Sequence, residues 1–197
     1  MTKNMKMAEG PPWAERLVRQ IGAAAKRTRG SRSATWLAER TAELGHPISA
    51  TIISKLDSGH RGDVLSVPEL LVLAAALDIP PSMLLFGDGF PGGETEYLPG
   101  RKASNFQAAQ WFSGESPMPA GPDGKASAPN TGTELVAAVR RCADAARNLA
   151  DLATWVEDAE EHGQSGDFVR DQMQHNVASL TARIAKLQQE LEKGGQR

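Results

Sequence analysis

A Gly- and Pro-rich stretch, residues 87–133, constrains the fold of this 197-residue chain more than any other feature. It includes GDGFPGGE and GESPMPAGPDGKASAPNTG, which show almost no hydrophobic periodicity. Long stretches without secondary structure are uncommon inside compact domains, so we place a domain boundary here. The flanking regions have helical spacing, and no convincing strand pattern occurs. The sequence therefore predicts an all-α chain with domains at 13–88 and 134–193, joined by a linker at 89–133.

The first region is predicted to form five short helices. Ser33 and Ser49 are natural N-caps, because a serine hydroxyl can accept a hydrogen bond from the first helical turn. Pro68 lies in the first turn of a fourth helix, where its missing N–H has no helical partner to lose. The predicted helices span 13–29, 34–44, 49–58, 67–77 and 82–86. They make an all-α domain with one small core.

Charge is distributed unevenly along the chain. Residues 1–62 contain 11 Lys and Arg and five Asp and Glu, a formal charge of +6. The remaining residues contain 11 basic and 19 acidic side chains, a formal charge of −8. The first part of the chain is therefore expected to attract a polyanion, and the second part to be repelled by it.

The third predicted helix suits the major groove of DNA. Its apolar residues Ile53 and Leu56 are spaced i, i+3 and are expected to face inward. Its other side chains are small, hydrogen-bonding or basic, which lets a helix enter a groove about 12 Å wide. They are Ser49, Ala50, Thr51, Ser54 and Lys55. With the helix before it, this helix forms a helix-turn-helix candidate, although two helices of a small bundle would show the same order.

Three segments strengthen this interpretation when they are taken together. They are SATWLAER at 33–40, ISATIISKLDSG at 48–59 and VPELLVLAAALDIPPSMLL at 67–85. Their combination resembles the Cro/lambda-repressor (Xre-type) family of helix-turn-helix transcriptional regulators, in actinobacterial or phage-related form. The resemblance covers all five predicted helices and implies a five-helix lambda-repressor-like DNA-binding domain.

The resemblance also implies roles for individual residues. Ala50, Thr51 and Lys55 match positions that reach base edges, and Ser49 and Ser54 complete this set. Lys55 would read guanine, Thr51 could donate or accept a hydrogen bond, and Ala50 could contact a thymine methyl group. The positions that match the family core are Leu37, Ala38, Ile53, Leu56, Leu70, Leu73, Leu77, Ile79 and Leu84.

Further positions of the resemblance concern the DNA backbone and the support of the reading helix. Phosphate contacts are implied for Ser33, Thr35, His60 and Arg61. Arg27 and Asp57 match a basic–acidic pair that ties the first helix to the end of the third.

Two departures from the family pattern bear on base reading. The family often has Gln where this chain has Ala34, so one backbone contact is missing. The loop at 43–47 is also longer than in the short family form, and it can re-aim the reading helix. Ile52 lies at a commonly polar position, where it could contact a thymine methyl group or pack against the longer loop.

The last sixty residues show two apolar seams with the 3.5-residue period of coiled coils. One consists of Leu135, Val139, Cys142, Ala146, Leu149, Ala153 and Val156, and the other of Met173, Val177, Leu180, Ile184, Leu187 and Leu191. The short loop at 162–166 predicts an antiparallel hairpin. The two seams could bury each other within one chain. Two hairpins that pair into a four-helix bundle would bury more apolar surface. We therefore expect a homodimer through the leucines and valines of the two seams, Ile184 and Met173.

An island of aromatic residues lies inside the linker, at 97–112. We interpret it as a short helix, about 104–112, that docks on the first domain and hides its aromatic side chains. The alternative is a segment that binds a partner or a ligand.

No catalytic constellation, cofactor motif or metal site is expected. The four histidines, at 46, 60, 162 and 175, have no His, Cys or acidic neighbours at ligand spacing. The single cysteine, Cys142, lies on a seam and is expected to be a buried hydrophobic residue. No apolar run approaches the roughly 18 residues that span a bilayer. No secretory signal is visible, so we expect a cytoplasmic, nucleoid-associated protein.

These features lead to one expectation and two alternatives. We expect a protein without enzymatic activity that binds double-stranded DNA as a dimer. It would be a sequence-specific transcriptional regulator, a repressor of the phage-immunity or mobile-element type. The alternatives are an architectural, nucleoid-type protein that bridges DNA, and an antitoxin or adaptor that acts through protein contacts.

Overall fold

The chain consists of two compact units that divide after Ala109. A computed structural model describes the backbone of residues 11–122, 124–125, 127–161 and 167–194. Side chains are described within these ranges except at 149–161, 168–170, 172–173, 191 and 194. The described residues form eight helices and a two-stranded sheet. The prediction of an all-α chain is therefore confirmed in its broad form, and the sheet is an addition to it.

Five helices make up most of the first unit. They are α1 (Trp13–Arg29), α2 (Ala34–Glu43), α3 (Ala50–Asp57), α4 (Val67–Ala76) and α5 (Pro81–Phe86). Each lies within one residue of its predicted bounds at either end. Both predicted N-caps are confirmed, because Ser33 Oγ accepts a hydrogen bond from Trp36 N at 3.0 Å and Ser49 Oγ accepts one from Ile52 N at 3.3 Å.

One core holds these helices together. Helix α1 packs against α3 and α5, α2 packs against α3 and α4, and α4 packs against α5. Side chains from four different helices are fully buried in this core: Leu37, Ile53, Leu73 and Leu84. The predicted core is therefore largely confirmed. Ala38, Leu70 and Ile79, which were also predicted there, are only half-buried.

The predicted linker contains a β-hairpin, so the expectation that the chain has no strand is wrong. Strands β1 (Glu94–Leu98) and β2 (Arg101–Ser104) pair antiparallel, with Thr95 opposite Ala103. Thr95 and Tyr97 are buried and alternate with more exposed neighbours, which is the period of a strand with one covered face. This alternation covers too few residues to be recognised among the surrounding glycines and prolines.

The last part of the aromatic island forms a helix, α6 (Asn105–Phe112), as predicted. Tyr97 is buried, but Phe106 and Phe112 are exposed, so the expectation that all the aromatic side chains are hidden is wrong. Phe106 packs edge-on against Phe90, with ring centroids 6.2 Å apart. The hairpin itself is attached to the five-helix core, because Trp13 Nε1 donates a hydrogen bond to Glu96 O at 2.9 Å.

The second unit contains two long helices, α7 (Thr131–Glu161) and α8 (Asp167–Gly194), which pack against each other. Arg183 forms an ion pair with Glu134 at 2.8 Å, and Thr181 Oγ1 lies 3.9 Å from Cys142 Sγ. As the residue number rises along α7 it falls along α8, so the helices are antiparallel, as predicted. The predicted loop at 162–166 lies outside the described residues.

The packing seam is confirmed on α8 and shifted on α7. Val177, Leu180, Ile184 and Leu187 are the less exposed positions of α8 between residues 174 and 190, as predicted. On α7, Ala138 is fully buried and Val139 is 45% exposed. Ala145 is likewise less exposed than Ala146. The predicted seam positions 139 and 146 are therefore replaced by 138 and 145.

Five of the predicted seam residues fall where no side chain is described: Leu149, Ala153, Val156, Met173 and Leu191. The prediction for these five is not addressed by the structure. Leu135 and Cys142, which are described, are half-buried.

Candidate nucleic-acid interface

A buried threonine holds the turn between α2 and α3. Thr41 Oγ1 donates a hydrogen bond to Ala38 O at 2.8 Å and accepts one from Ile48 N at 3.0 Å. Both Thr41 and Ile48 are buried, so this link is shielded from water. It closes the loop at 43–47. The direction of α3 relative to α2 is therefore set by a specific contact.

Helix α3 has one apolar face and one polar face. Ile53 and Leu56 are buried in the core. The predicted base-reading residues lie together on the rest of the helix: Ser49, Thr51, Ser54 and Lys55 are exposed, and Ala50 is half-buried. Ile52 is also half-buried, and both of its predicted roles stay open. The structure thus brings the predicted set onto a single surface.

The C-terminal end of α3 is held by a buried ion pair. Arg29 donates from its two terminal nitrogens to the two oxygens of Asp57, at 3.3 and 2.8 Å. The two side chains are 7% and 12% exposed. Arg29 Nε also donates to Arg32 O at 2.7 Å, so the guanidinium has partners on both edges. This arrangement removes the only carboxylate of α3 from its polar face.

The predicted partner of Asp57 was Arg27, and this prediction is wrong. Arg27 instead pairs with Asp88 at 3.2 Å, and both side chains are exposed. Successive helical residues are rotated by about 100°, so Arg27 and Arg29 lie on nearly opposite sides of α1. Arg29 continues the buried side of α1 from Ile21 and Ala25, which is the side that meets α3.

A glycine allows α1 and α3 to come together, and sequence reasoning did not identify it. A Cβ at Gly22 would lie 2.2 Å from Leu56 O, which is closer than any real Cβ contact. The crossing of the two helices therefore requires glycine at this position. A glycine in the middle of an Ala-rich helix was the available signal, since glycine weakens a helix unless packing requires it.

The four predicted phosphate-contacting residues are not equivalent. Ser33, Thr35 and His60 are exposed, as such contacts require. The Arg61 guanidinium forms an ion pair with Glu69, and the two side chains are 17% and 14% exposed. Arg61 therefore lies mostly buried against Glu69, and its predicted phosphate contact stays a prediction.

Glu69 holds Arg61 and also caps α4. Its carboxylate accepts a hydrogen bond from Ser66 N at 2.9 Å, while Ser66 Oγ accepts one from Glu69 N at 3.3 Å. Burial raises the pKa of Glu69, but the hydrogen bonds from Ser66 and Arg61 outweigh it and leave that pKa below its ordinary value. The loop between α3 and α4 is thus fixed by an ionised carboxylate.

Arg32 is a cation at the start of α2 that the sequence analysis missed. Its guanidinium lies 4.2 Å from the centroid of the Trp36 ring, which stabilises its position by a cation–π contact. Arg32 is exposed and directly precedes Ser33. The spacing of Arg32 and Trp36, four residues apart across a helix N-terminus, was the signal that could have found it.

Comparisons of the chain with known protein families, with curated proteins and with solved structures give no match. Within the described ranges, no group of three or more His, Cys, Asp or Glu side chains could hold a metal ion. None of the helices described is both long and apolar enough to cross a membrane.

Proposed function

We propose that this chain is a sequence-specific DNA-binding transcriptional regulator, a repressor of the Cro/lambda-repressor (Xre-type) kind. Helices α1–α5 are its five-helix, lambda-repressor-like DNA-binding domain. Helix α3 enters the major groove, and α2 lies across the DNA backbone. The protein acts by occupying its operator.

The observation that carries this proposal is the polar face of α3. It presents hydroxyl groups and one ammonium group, from Thr51, Ser54 and Lys55, and the carboxylate of the same helix is bound by Arg29. A surface without a free carboxylate can approach phosphates closely, because it does not repel them. The hydroxyl and ammonium groups can then hydrogen-bond base edges, with Lys55 directed at guanine O6 and N7.

The phosphate contacts are assigned to the start of α2 and the end of α3. Ser33, Thr35 and Arg32 flank the N-terminus of α2, where the helix dipole favours an anion. His60 is exposed just after α3 and supplies a further donor. Arg32 joins this set, in which Arg61, paired with Glu69, is the least exposed member.

Selection of DNA fragments from genomic and random pools by the full-length protein, at a stated salt concentration, tests this proposal. We expect one or a few sharp sites with two half-sites. Lys55→Ala should cost about 1–3 kcal/mol at the selected site and relax specificity there. Arg32→Ala should weaken binding to all sequences and reduce the salt slope by about one.

Lys186→Ala is the matched control, because Lys186 is an exposed lysine of α8. It should leave both affinities unchanged. Equal loss on specific and random DNA for Lys55→Ala would overturn the assignment of the reading face. Broad coverage without a preferred sequence would favour the architectural alternative, and no binding at low salt would overturn DNA binding altogether.

We also propose that the protein is a homodimer assembled through α7 and α8. The support is an apolar side chain left outside the seam: Val139 is 45% exposed next to the fully buried Ala138. A second hairpin would cover it in a four-helix bundle. Light scattering should give twice the mass of 21.1 kDa for the chain, and Val139→Glu should shift the protein toward monomer. A monomeric parent protein would overturn the dimer.

A further inference from the structure

A polar cavity of about 390 Å³ lies in the first unit, away from the polar face of α3. One wall is formed by α1, and the other by the loop after α5, by β1 and by the first residue of α6. The volume falls within the range of about 300–1,000 Å³ that is usual for small-molecule sites. Such sites are mostly apolar, whereas charged side chains dominate here, so a charged ligand is expected.

Charges of both signs line the cavity. Arg16, Arg19 and Arg27 project from α1, and Asp88 and Glu94 lie across from them. Each arginine has one carboxylate partner: Glu96 for Arg16, Glu15 for Arg19 and Asp88 for Arg27. A guanidinium has five N–H donors, so an ion pair with one carboxylate leaves donors for a ligand. The cavity can therefore bind an anionic group without losing its internal ion pairs.

Asn105 adds an unsatisfied acceptor to the same cavity. It lines the wall and is 1% exposed. Its Nδ2 donates to Asp88 O, and its backbone N donates to Gly93 O at 2.6 Å. No group among the described residues donates a hydrogen bond to its Oδ1. A buried acceptor without a donor costs about 1–3 kcal/mol, and a ligand N–H would remove that cost.

The backbone at Gly93 leaves room for the side chain of Asn105 to approach Asp88. A Cβ at Gly93 would lie 2.6 Å from both Asn105 Nδ2 and Asp88 O. Glycine at 93 is therefore required for the amide of Asn105 to reach Asp88. This contact fixes the amide so that Oδ1 is the group left without a donor.

We propose that this cavity binds a small zwitterion of the α-amino acid class. Its carboxylate accepts hydrogen bonds from Arg27, whose partner Asp88 is the residue that Asn105 also contacts. Its ammonium donates to Asn105 Oδ1 and lies beside Asp88 and Glu94, which also pair with Arg27 and Lys102. A simple anion would leave Asn105 without a donor and would face both carboxylates, which is why both charges are needed in one ligand. The proposal does not depend on DNA binding.

Calorimetric titration of the full-length protein with each of the common L-amino acids, one at a time, tests the proposal. For the tightest of them, the carboxylic acid without the amino group and the amine without the carboxylate are titrated in parallel. We expect saturable binding by at least one amino acid, and binding at least tenfold weaker for both analogues. No saturable binding at millimolar concentration, or equal binding by either analogue, would overturn it.

Variants locate the binding in the cavity. Arg27→Gln should keep the fold, because the Arg27 side chain is 52% exposed. It should lower the affinity for the tightest-binding amino acid at least tenfold. Arg40→Gln is the matched control, since Arg40 is an exposed, ion-paired arginine of α2 outside the cavity. It should leave the affinity unchanged. An equal effect of the two variants, or no effect of Arg27→Gln with the melting temperature unchanged, would contradict the assignment.

Discussion

The five-helix core and the α7–α8 pair are both helical, but they are held together differently. In the core, two junctions have specific polar contacts: the Thr41 hydroxyl between α2 and α3 and the Arg29–Asp57 pair between α1 and α3. In the α7–α8 pair, the described contacts are an apolar seam, in which Ala138 and Leu187 are the buried side chains, and an exposed ion pair between Arg183 and Glu134. Buried polar contacts allow only one arrangement of a domain, whereas apolar contacts and exposed ion pairs select one register less strongly.

The composition of the two long helices explains why the predicted seam is right on α8 and shifted on α7. On α8, the apolar residues Val177, Leu180, Ile184 and Leu187 are separated by polar residues and alanines, so only one face can be buried. On α7, the run LVAAV at 135–139 offers apolar side chains in all directions. Close helix packing then selects the smaller Ala138, because a small side chain lets the backbones approach.

The largest loss of stability is expected from breaking the buried Arg29–Asp57 ion pair of the core. Asp57→Ala leaves the Arg29 guanidinium buried without its partner, which should cost about 3–5 kcal/mol of unfolding free energy. Urea denaturation of the full-length protein measures this. Glu43→Ala, which breaks the exposed pair with Arg40, is the control and should cost at most about 1 kcal/mol. Equal costs would mean that the core is not held by this pair.

A smaller loss of stability should show whether Ala138 or Val139 of α7 lies in the α7–α8 seam. Ala138→Leu forces a larger side chain into a closed contact and should cost about 1–3 kcal/mol. Val139→Leu lies outside this intrachain seam and keeps an apolar side chain for the proposed dimer contact, so it should cost less. Hydrogen exchange of α7 and α8 amides reports the change in that unit alone. If Val139→Leu were the more destabilising variant, the result would support the heptad prediction that Val139, and not Ala138, lies in the seam.

The smallest expected change in stability comes from the carboxylate of Glu69, and it depends on pH. The pKa of Glu69 is lowered in the folded protein by Ser66 and Arg61, despite burial, which raises it. The ionised form therefore stabilises the fold above the unfolded pKa of about 4.3, and this contribution is lost as the pH falls through the lower folded pKa. Glu69→Gln should be less stable than the parent protein at pH 7, and the difference should shrink at pH 3.

Urea titrations at the two pH values measure the Glu69 contribution. Glu43→Gln is the control, since Glu43 is an exposed member of a surface pair on α2. Its effect should be small at both pH values. A stability difference for Glu69→Gln that did not change between pH 7 and pH 3 would contradict an ionised, hydrogen-bonded carboxylate at this site.

Much of the first unit was predictable because its signals are local. A serine before an apolar run marks a helix start wherever it occurs, so the starts of α2 and α3 follow from Ser33 and Ser49. The polar face of α3 was predictable for the same reason, since Ile53 and Leu56 leave only one face for the core. The β1–β2 hairpin was not predictable, because its pairing depends on Thr95 and Tyr97 being covered by other parts of the fold.

The helical segments, their starts and the polar face of α3 follow from the amino-acid sequence alone. The partners of individual side chains appear only in the folded chain: Arg29 and not Arg27 for Asp57, Glu69 for Arg61, and Ala138 and not Val139 in the seam. Packing also places Asn105 beside arginines that lie far from it in the chain. These two sets of features depend on interactions of different range. Helix starts and faces depend on residues within one or two turns, whereas an ion pair or a cavity depends on side chains that only packing brings together.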